Sequence, residues 1–154
     1  MRPGDLVERY TVEALLGEGA AAAVYRVRHA SLGTLHALKV LHTADPELAR
    51  RLLSEGRVQA ALDHPNLIPV SDVFEVEGRP ALLMAYVDGP DLGTFLQTAS
   101  LALHEVEALF RGIVAGVACA HAAGIVHRDL KPGNVLLEAV DGRPVPRVAD
   151  FGIA

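Results

Sequence analysis

The chain has 154 residues, 51% of them hydrophobic and 21% charged, a composition typical of a globular protein with one sizeable core or two small ones. Its net charge of −5, without any cluster among the 14 Lys and Arg residues, argues against a nucleic-acid partner. A single cysteine, Cys119, and the lack of a signal peptide or an 18-residue apolar run predict a cytoplasmic protein with no membrane segment in this stretch.

The first 87 residues carry mainly strand patterns. The segments "RYTVEALLGEG", "AVYRVRHA" and "LHALKVLH" combine β-branched and aromatic residues with glycine-rich turns, which predicts an antiparallel meander. Asp45-Pro46-Glu47 then predicts the start of a helix that runs to about residue 62. Two further strands, "IPVSDVFEV" and "RPALLMAYV", follow, with a turn at Glu77-Gly78 between them.

The composition changes after "DGPDLG". Apolar residues at helical spacing predict a long helix from about 103 to 123, closed by Gly124: Leu103, Val106, Phe110, Ile113, Val114 and Val117. The loop "VHRDLKPGN", the strand "VLLEAV", a turn at Asp141-Gly142 and the strand "RVAD" follow. The sequence thus predicts an α+β protein with a sheet-rich part, 1–87, and a mainly helical part, 88–154, joined by a hinge at about 84–90.

The first candidate for chemistry is the turn Gly17-Glu18-Gly19 between two predicted strands. Backbone amides approach phosphate oxygens closely where no Cβ intrudes, so such a turn is suited to a phosphate ligand. An ordinary hairpin turn is an equally common reason for the same residues. The strand-to-strand setting excludes both the dinucleotide-binding fingerprint and the Walker-type loop, because each of those leads into a helix.

Lys39 lies inside the apolar run "ALKVL". A lysine on an edge strand can extend its ammonium to solvent, which is the ordinary explanation for such a residue. A buried ammonium instead needs a counter-charge, and Glu55 on the following helix is a candidate. Taken alone, Glu55 is typical of a solvated carboxylate on a helix surface.

The segment "HRDLKPGN", residues 127–134, is the most specific pattern in the chain. The spacing of Asp129, Lys131 and Asn134 allows a base, an ammonium group and a Mg²⁺ ligand to face one point. The alternative is a simple polar turn. Asp150, in "ADFG", adds a carboxylate at the end of a predicted strand, although this triplet also occurs in common turns.

Taken in chain order, "GEGAAAAV", "ALKVL", Glu55, "HRDLKPGN" and "DFG" resemble the signature of the serine/threonine protein kinases, in particular the bacterial Hanks-type enzymes. The resemblance implies a protein-kinase-like fold, with an antiparallel five-stranded N-lobe, one helix in that lobe, and the beginning of a mainly helical C-lobe. It also implies that the chain is truncated soon after the DFG triplet. We therefore expect the 154-residue chain alone to be inactive, and its long helix to keep an exposed apolar face.

ATP and Mg²⁺ are the cofactors that the resemblance implies. Lys39 would contact the α- and β-phosphates and pair with Glu55, and Lys131 would meet the transferring γ-phosphate. Asp129 would accept the proton of a Ser or Thr hydroxyl in a protein substrate, or orient that hydroxyl. The metal would be held by Asn134 and Asp150.

The same resemblance implies the residues that surround the nucleotide. They lie in the glycine-rich loop, the strands, the hinge and the strand after the catalytic loop: Leu16, Gly17, Gly19, Val24, Ala37, Met84, Ala85, Val87 and Leu136. Two departures from the family pattern are mild, since Ala22 replaces a third glycine and Ala85 a common hinge glutamate. His127 is expected to be structural, and Arg128 to position an activation loop.

Lysine use agrees with this interpretation. Only two of the 14 cationic residues, Lys39 and Lys131, are lysines, and both occupy positions where a compact ammonium suits a phosphate better than a planar guanidinium does. Two alternatives remain: a non-catalytic nucleotide-binding pseudokinase or regulatory module, and a small-molecule phosphotransferase, against which "HRDLKP" argues. A kinase–kinase dimer is a further expectation.

Overall fold

The computed structural model describes residues 1–43 and 45–151, which form two compact units. Unit 1 contains Met1–Ala60 and Val70–Tyr86, and unit 2 contains Ala61–Pro69 and Val87–Ala154. The sequence-based division at residue 87 placed 61–69 in the first part, whereas these residues pack with unit 2. No helix among the described residues is both long and apolar enough to cross a membrane.

Unit 1 is a six-stranded antiparallel sheet with one helix. The strands occur in the order β1-β2-β3-β4-β6-β5, and helix α1 lies in the chain between β4 and β5. Their bounds are β1 Leu6–Val7, β2 Tyr10–Glu18, β3 Ala22–His29, β4 Leu35–Leu41, α1 Pro46–Ala60, β5 Val70–Val76 and β6 Arg79–Ala85. The prediction of five strands missed only β1, which has two residues and is too short for an alternating pattern.

The two faces of this sheet have different roles. Alternate residues on one face form an apolar core: Val12, Val27, Leu38, Val40, Ala81 and Leu83. On the other face, α1 packs closely, because a Cβ at Gly56 would lie 3.2 Å from Val73 Cγ2 and 3.4 Å from Leu82 Cδ2. Helix α1 therefore packs against β5 and β6 at Gly56, the residue without a side chain.

The local signals at the ends of these elements behave as the sequence predicts. The Asp45 carboxylate accepts a hydrogen bond from the Glu47 N–H at 2.9 Å, and Pro46 occupies the first position of α1. The turns Glu77-Gly78 and Asp141-Gly142 have positive φ at both residues, 51° and 73° in the first and 50° and 75° in the second. Paired positive φ values are typical of two-residue turns that match the twist of a hairpin.

Unit 2 contains two helices, one turn of 3₁₀ helix and a hairpin. Their bounds are α2 Leu92–Thr98, α3 Leu103–Ala122, the 3₁₀ turn Pro132–Asn134, β7 Val135–Val140 and β8 Arg143–Val148. The long predicted helix is confirmed as α3. Ala102, before it, has no polar side chain to cap the helix, but its N–H donates to the Glu105 carboxylate at 2.7 Å. Helix α2 was missed because its seven residues show no apolar repeat; its N-cap is Asp91.

The second strand of the hairpin begins four residues earlier than predicted. Pro144 and Pro146 both lie in β8, opposite Ala139 and Leu137. The Leu137 N–H donates to Pro90 O at 2.9 Å, away from β8, so the proline opposite it occupies a position that needs no ladder hydrogen bond. A two-stranded hairpin can therefore hold two prolines without losing its pairing.

Helix α3 packs against the segment before β5 and against β8. A Cβ at Gly116 would lie 2.8 Å from the backbone oxygen of Asn66, which leaves room only for glycine. The Asn66 side chain donates to Pro146 O at 2.9 Å, and Ile68 and Val148 are joined through their backbones. These contacts hold residues 61–69 in unit 2.

Candidate functional site

Lys39 occupies a fixed place on the helix-covered face of the unit 1 sheet. The strand register places Gly17, Val24, Lys39 and Leu82 in one row across β2, β3, β4 and β6. Side chains that are directly opposite each other in an antiparallel sheet share a face, so Lys39 lies on the face that carries Leu82. Lys39 is only 6% exposed, which is not the exposure of an ordinary edge-strand lysine.

Helix α1 covers the same face and carries Glu55. Since Gly56 contacts the Leu82 side chain, the adjacent Glu55 lies on the helix that packs beside the row of Lys39. The Glu55 carboxylate accepts a hydrogen bond from Arg51 at 3.1 Å. The Lys39–Glu55 ion pair stays a prediction, supported by this shared face.

The next row of the register brings together two of the residues expected around adenine. Ala37 on β4 is opposite Met84 on β6, two residues along from Lys39 and Leu82, and therefore lies on the same face. Leu16 lies at a register shift in β2, between Leu15 and Gly17. The sheet thus collects part of the predicted nucleotide set on one surface.

The turn between β2 and β3 does not need the conformational freedom of its glycines, Gly17 and Gly19. Gly17 and Gly19 do not have the positive φ that would require glycine, and no described atom lies within 4 Å of a Cβ added at Gly17. The loop is closed by a hydrogen bond from the Gly19 N–H to Ala22 O at 2.9 Å. The described residues therefore leave open the space that close approach of a ligand to this loop would need.

His127 is the structural centre of the loop 127–134. The ring is 3% exposed, and its Nε2 lies 2.7 Å from Ala149 O, a carbonyl that can only accept. Its Nδ1 accepts from the Asp129 N–H at 3.3 Å, so these partners assign the Nε2–H tautomer. The imidazole also packs on the Phe151 ring, with centroids 4.5 Å apart.

Asp129, Lys131 and Asn134 are brought into direct contact. The Lys131 ammonium donates to Asp129 Oδ2 at 2.6 Å, and the Asn134 amide donates to the same oxygen at 3.1 Å and to Asp129 O at 2.8 Å. The hydrogen bond from Lys131 is the main cause of a lowered pKa at Asp129, with a smaller contribution from Asn134. Asp129 is therefore ionised and oriented at neutral pH.

The backbone also brings Asp150 next to this group. The Ala149 N–H donates to Asn134 O at 2.9 Å, which extends the β7–β8 pairing to the residue before Asp150. Asp150 and Arg128 both have positive φ, 62° and 67°, conformations that cost non-glycine residues roughly 1–3 kcal/mol. Such strain concentrates where function fixes the direction of a side chain. Gly152, the last residue of the DFG triplet, lies outside the described residues.

The oxygen atoms of this group suit a hard divalent cation. Within residues 1–43 and 45–151, no cluster of three or more His, Cys, Asp or Glu residues is placed to hold a metal ion. Mg²⁺ does not need one, because it usually takes one or two protein oxygens and completes its shell with water and substrate phosphates. The Asn134 amide oxygen and the Asp150 carboxylate have this donor chemistry.

One charged group in unit 1 was not predicted from the sequence. Glu13 forms ion pairs with Arg26 and Arg28, and the guanidinium of Arg26 lies beside Tyr86. Charged residues at every second position of β3, facing an acid on β2, are a signal of cross-strand pairing that could have revealed it.

Comparison with known proteins identifies the class. The protein kinase domain family matches residues 10–154. The serine/threonine-protein kinase Pkn1 of Myxococcus xanthus is 40% identical over an alignment of 143 residues that covers 90% of this chain and 20% of that protein. The crystal structure of the Mycobacterium tuberculosis PknI kinase domain matches with a TM-score of 0.84 and 36% identity, over 100% of this chain and 64% of that one. The structure of Rad53 in complex with AMP-PNP matches with a TM-score of 0.83 and 25% identity, over 96% and 39%.

The chain therefore belongs to the protein kinase domain family, and the predicted fold class is confirmed. Its named relatives are bacterial serine/threonine kinases, as the resemblance implied. The chain spans about a fifth of the length of Pkn1 and 64% of the PknI kinase domain.

Proposed function

We propose that this chain is the nucleotide-binding and catalytic-loop part of an ATP-dependent serine/threonine protein kinase. The observation that carries this proposal is the direct contact of Asp129 with both Lys131 and Asn134 in the order that the family signature requires. A simple polar turn would not need a buried asparagine and a buried histidine to brace it. Protein hydroxyls are the proposed substrates.

Unit 1 supplies the groups proposed for the nucleotide. Lys39 would bind the α- and β-phosphates, with Glu55 as its counter-charge, and Gly17 and Gly19 would let backbone amides approach phosphate. The adenine would lie against the face that carries Val24, Ala37 and Met84, bordered by Leu16, with its edge bonded to the backbone of 85–87. Leu136 remains a contact that the family resemblance implies. Rad53 was solved with AMP-PNP, an ATP analogue, which supports a nucleotide of this type.

Unit 2 supplies the groups proposed for the transfer. Asp129, whose pKa lies below the ordinary range, is a weak base at neutral pH, so its main role is to orient the attacking hydroxyl. Lys131 would neutralise the γ-phosphate. Asn134 and Asp150 would hold Mg²⁺, which neutralises phosphate charge when bound.

The other proposals are less specific. We expect a cytoplasmic location, where ATP is available, and dimers of the kinase parts remain an expectation. We also expect no nucleic-acid partner, because the 14 Lys and Arg residues form no cluster in the sequence and the net charge is −5.

A two-part experiment tests the proposal. A fluorescent ATP analogue titrated into the 154-residue chain with Mg²⁺ should bind, and binding should weaken in Lys39→Met. Transfer is then measured in a chimera in which residues 1–154 replace the matching part of the PknI kinase domain, with radiolabelled ATP and myelin basic protein. Phosphoserine or phosphothreonine should appear, and Asp129→Asn should remove it while leaving nucleotide affinity unchanged.

Three results would contradict parts of this proposal. Absence of nucleotide binding by the folded chain would reject the nucleotide site. Binding without transfer in a folded chimera would favour a non-catalytic module. Phosphate transfer to a small alcohol in preference to protein would favour a small-molecule phosphotransferase.

A further inference from the structure

Arg26 has a location that none of the proposed catalytic roles uses. It lies on β3 opposite Ala37, in the register row that continues to Met84 on β6. Its side chain therefore lies on the sheet face proposed to bind adenine, although an arginine is not a usual lining for an aromatic base. The guanidinium contacts two side chains, Glu13 and Tyr86.

Glu13 holds the guanidinium from the β2 side. The register of β2 shifts between Val12 and Ala14, so Glu13 is the extra residue of a bulge, and bulges re-aim the side chain they contain. Glu13 Oε2 lies 2.9 Å from Arg26 Nε, and Glu13 Oε1 lies 2.5 Å from Arg28 Nε. The contact with Arg26 has the distance of an ion pair but not the alignment of a hydrogen bond, since Arg26 Nε is buried without an aligned acceptor among the described residues.

Tyr86 is the group that the guanidinium contacts on its other side. The guanidinium carbon lies 6.0 Å from the centre of the Tyr86 ring, and the interaction with the Tyr86 side chain is the main cause of the raised pKa of Arg26. Tyr86 follows the last residue of β6, Ala85, which is opposite His36. The contact with Arg26 thus holds Tyr86 just beyond the end of the β4–β6 pairing.

We propose that Arg26 is a positioning residue for nucleotide binding: held by Glu13, it fixes Tyr86 and so the backbone of residues 85–87 that receives the adenine edge. The inference rests on the proposed function, since it assigns an adenine to that backbone. Arg26 makes no contact with the nucleotide in this role. Its effect is to reduce the ordering that the backbone must undergo when the base binds.

The test measures affinity for ATP and for inorganic tripolyphosphate, both by competition with the fluorescent ATP analogue. Arg26→Met should weaken ATP binding about threefold to tenfold, the effect of losing roughly one hydrogen bond, and leave tripolyphosphate affinity unchanged because that ligand has no base. Arg28→Met is the matched control: Arg28 shares Glu13 and also donates to Gly33 O, but the structure shows no contact with Tyr86. It should bind ATP as the parent chain does.

Tyr86 gives the second arm. Tyr86→Phe removes only the hydroxyl and should reproduce most of the loss, and adding Arg26→Met to it should weaken binding little further, because both changes break the same contact. This variant keeps the inference testable if Arg26→Met fails to fold.

The failures are distinguishable. A folded parent chain that does not bind ATP rejects the proposed function and this inference with it. A parent chain that binds ATP, with Arg26→Met and Tyr86→Phe equally tight, overturns the inference alone. Equal losses for ATP and tripolyphosphate, or an equal loss in Arg28→Met, would also overturn it, since the effect would then not pass through the base-binding backbone.

Discussion

The two lysines of this chain are held in opposite ways. Lys39 is 6% exposed on a central strand, in register with residues of three other strands, whereas the side chain of Lys131 is 56% exposed in an irregular loop. Unit 1 thus places its charge through a regular ladder. Unit 2 places its charges through side-chain hydrogen bonds and two left-handed backbone positions.

The difference teaches where each part of the site is vulnerable. Many backbone hydrogen bonds between neighbouring strands hold a residue of the ladder in place. We therefore expect Lys39 to keep its location after most single substitutions nearby. The loop depends on a few contacts, and the loss of one partner leaves a charged or buried group without its counterpart. Substitutions in the two units should therefore differ in what they change: the charge itself in one case and its support in the other.

The largest effect is expected for the lysines themselves. In the PknI chimera, Lys39→Met should lower phosphoryl transfer by about 100-fold or more, because it removes a preorganised charge while methionine keeps the buried volume. Lys131→Met should lower transfer less and leave ATP affinity nearly intact. Initial rates and titrations with the fluorescent analogue provide the measurement; unaltered transfer by a folded Lys39→Met chimera would refute the role of Lys39.

The second prediction perturbs only the support of unit 2. Gly116→Ala should destabilise the chain by about 1–3 kcal/mol, because its Cβ would meet the Asn66 carbonyl at 2.8 Å. Helix propensity alone would give the opposite sign, a gain of about 1 kcal/mol. Urea unfolding monitored by circular dichroism measures the change.

Ala115→Gly, at the exposed position beside Gly116, is the matched control. Its cost should be about 1 kcal/mol from propensity alone. A Gly116→Ala variant more stable than the parent chain would contradict this prediction. It would show that α3 can move away from Asn66 at no cost in stability.

The third prediction concerns pH. The folded-state pKa of Asp129 is lowered, mainly by the hydrogen bond from Lys131, so its contribution to stability is complete above the unfolded-state pKa and is lost as the pH falls through the folded-state value. Lys131→Met should raise the pKa of Asp129 and move this loss to higher pH. A carboxyl-detected NMR titration of both chains tests it, and an unshifted Asp129 resonance midpoint in the variant would contradict the assigned cause.

The smallest effect on stability is expected at the outer face of α3. Leu103 and Phe110 are 83% and 66% exposed, and Val106 and Val114 continue the same stripe, which confirms the predicted exposed apolar face. Phe110→Ser should raise solubility while changing the free energy of unfolding by less than about 0.5 kcal/mol. Concentration at the onset of light scattering is the readout, and lower solubility than the parent chain would be the opposite result.

The sequence predicted the parts of the fold that depend on local pattern. β-Branched and aromatic residues between glycine-rich turns located the strands around Lys39, and the apolar repeat from Leu103 located α3 within a residue of its observed end. The start of β8 lies outside what local pattern can predict, because the tolerance of a strand for proline depends on its partner strand, Leu137 included. The ladder that aligns Val24, Lys39 and Leu82 was likewise beyond local pattern, since register is a property of paired strands.

The candidate site divides in the same way. Residue type and spacing were sufficient to single out Asp129, Lys131 and Asn134, because their partners lie within five residues along the chain. Arg26 and Tyr86 are sixty residues apart along the chain, and their contact depends on three neighbouring strands. No local motif could therefore predict it.

The imidazole of His127 gives the catalytic loop a property of its own. One ring receives the N–H of Asp129 and donates to the carbonyl just before Asp150. A displacement of the segment that carries Asp150 would therefore reach Asp129 through a single rigid ring. With the roles proposed for these two carboxylates, the orientation of the substrate hydroxyl and the binding of the cation would then change together.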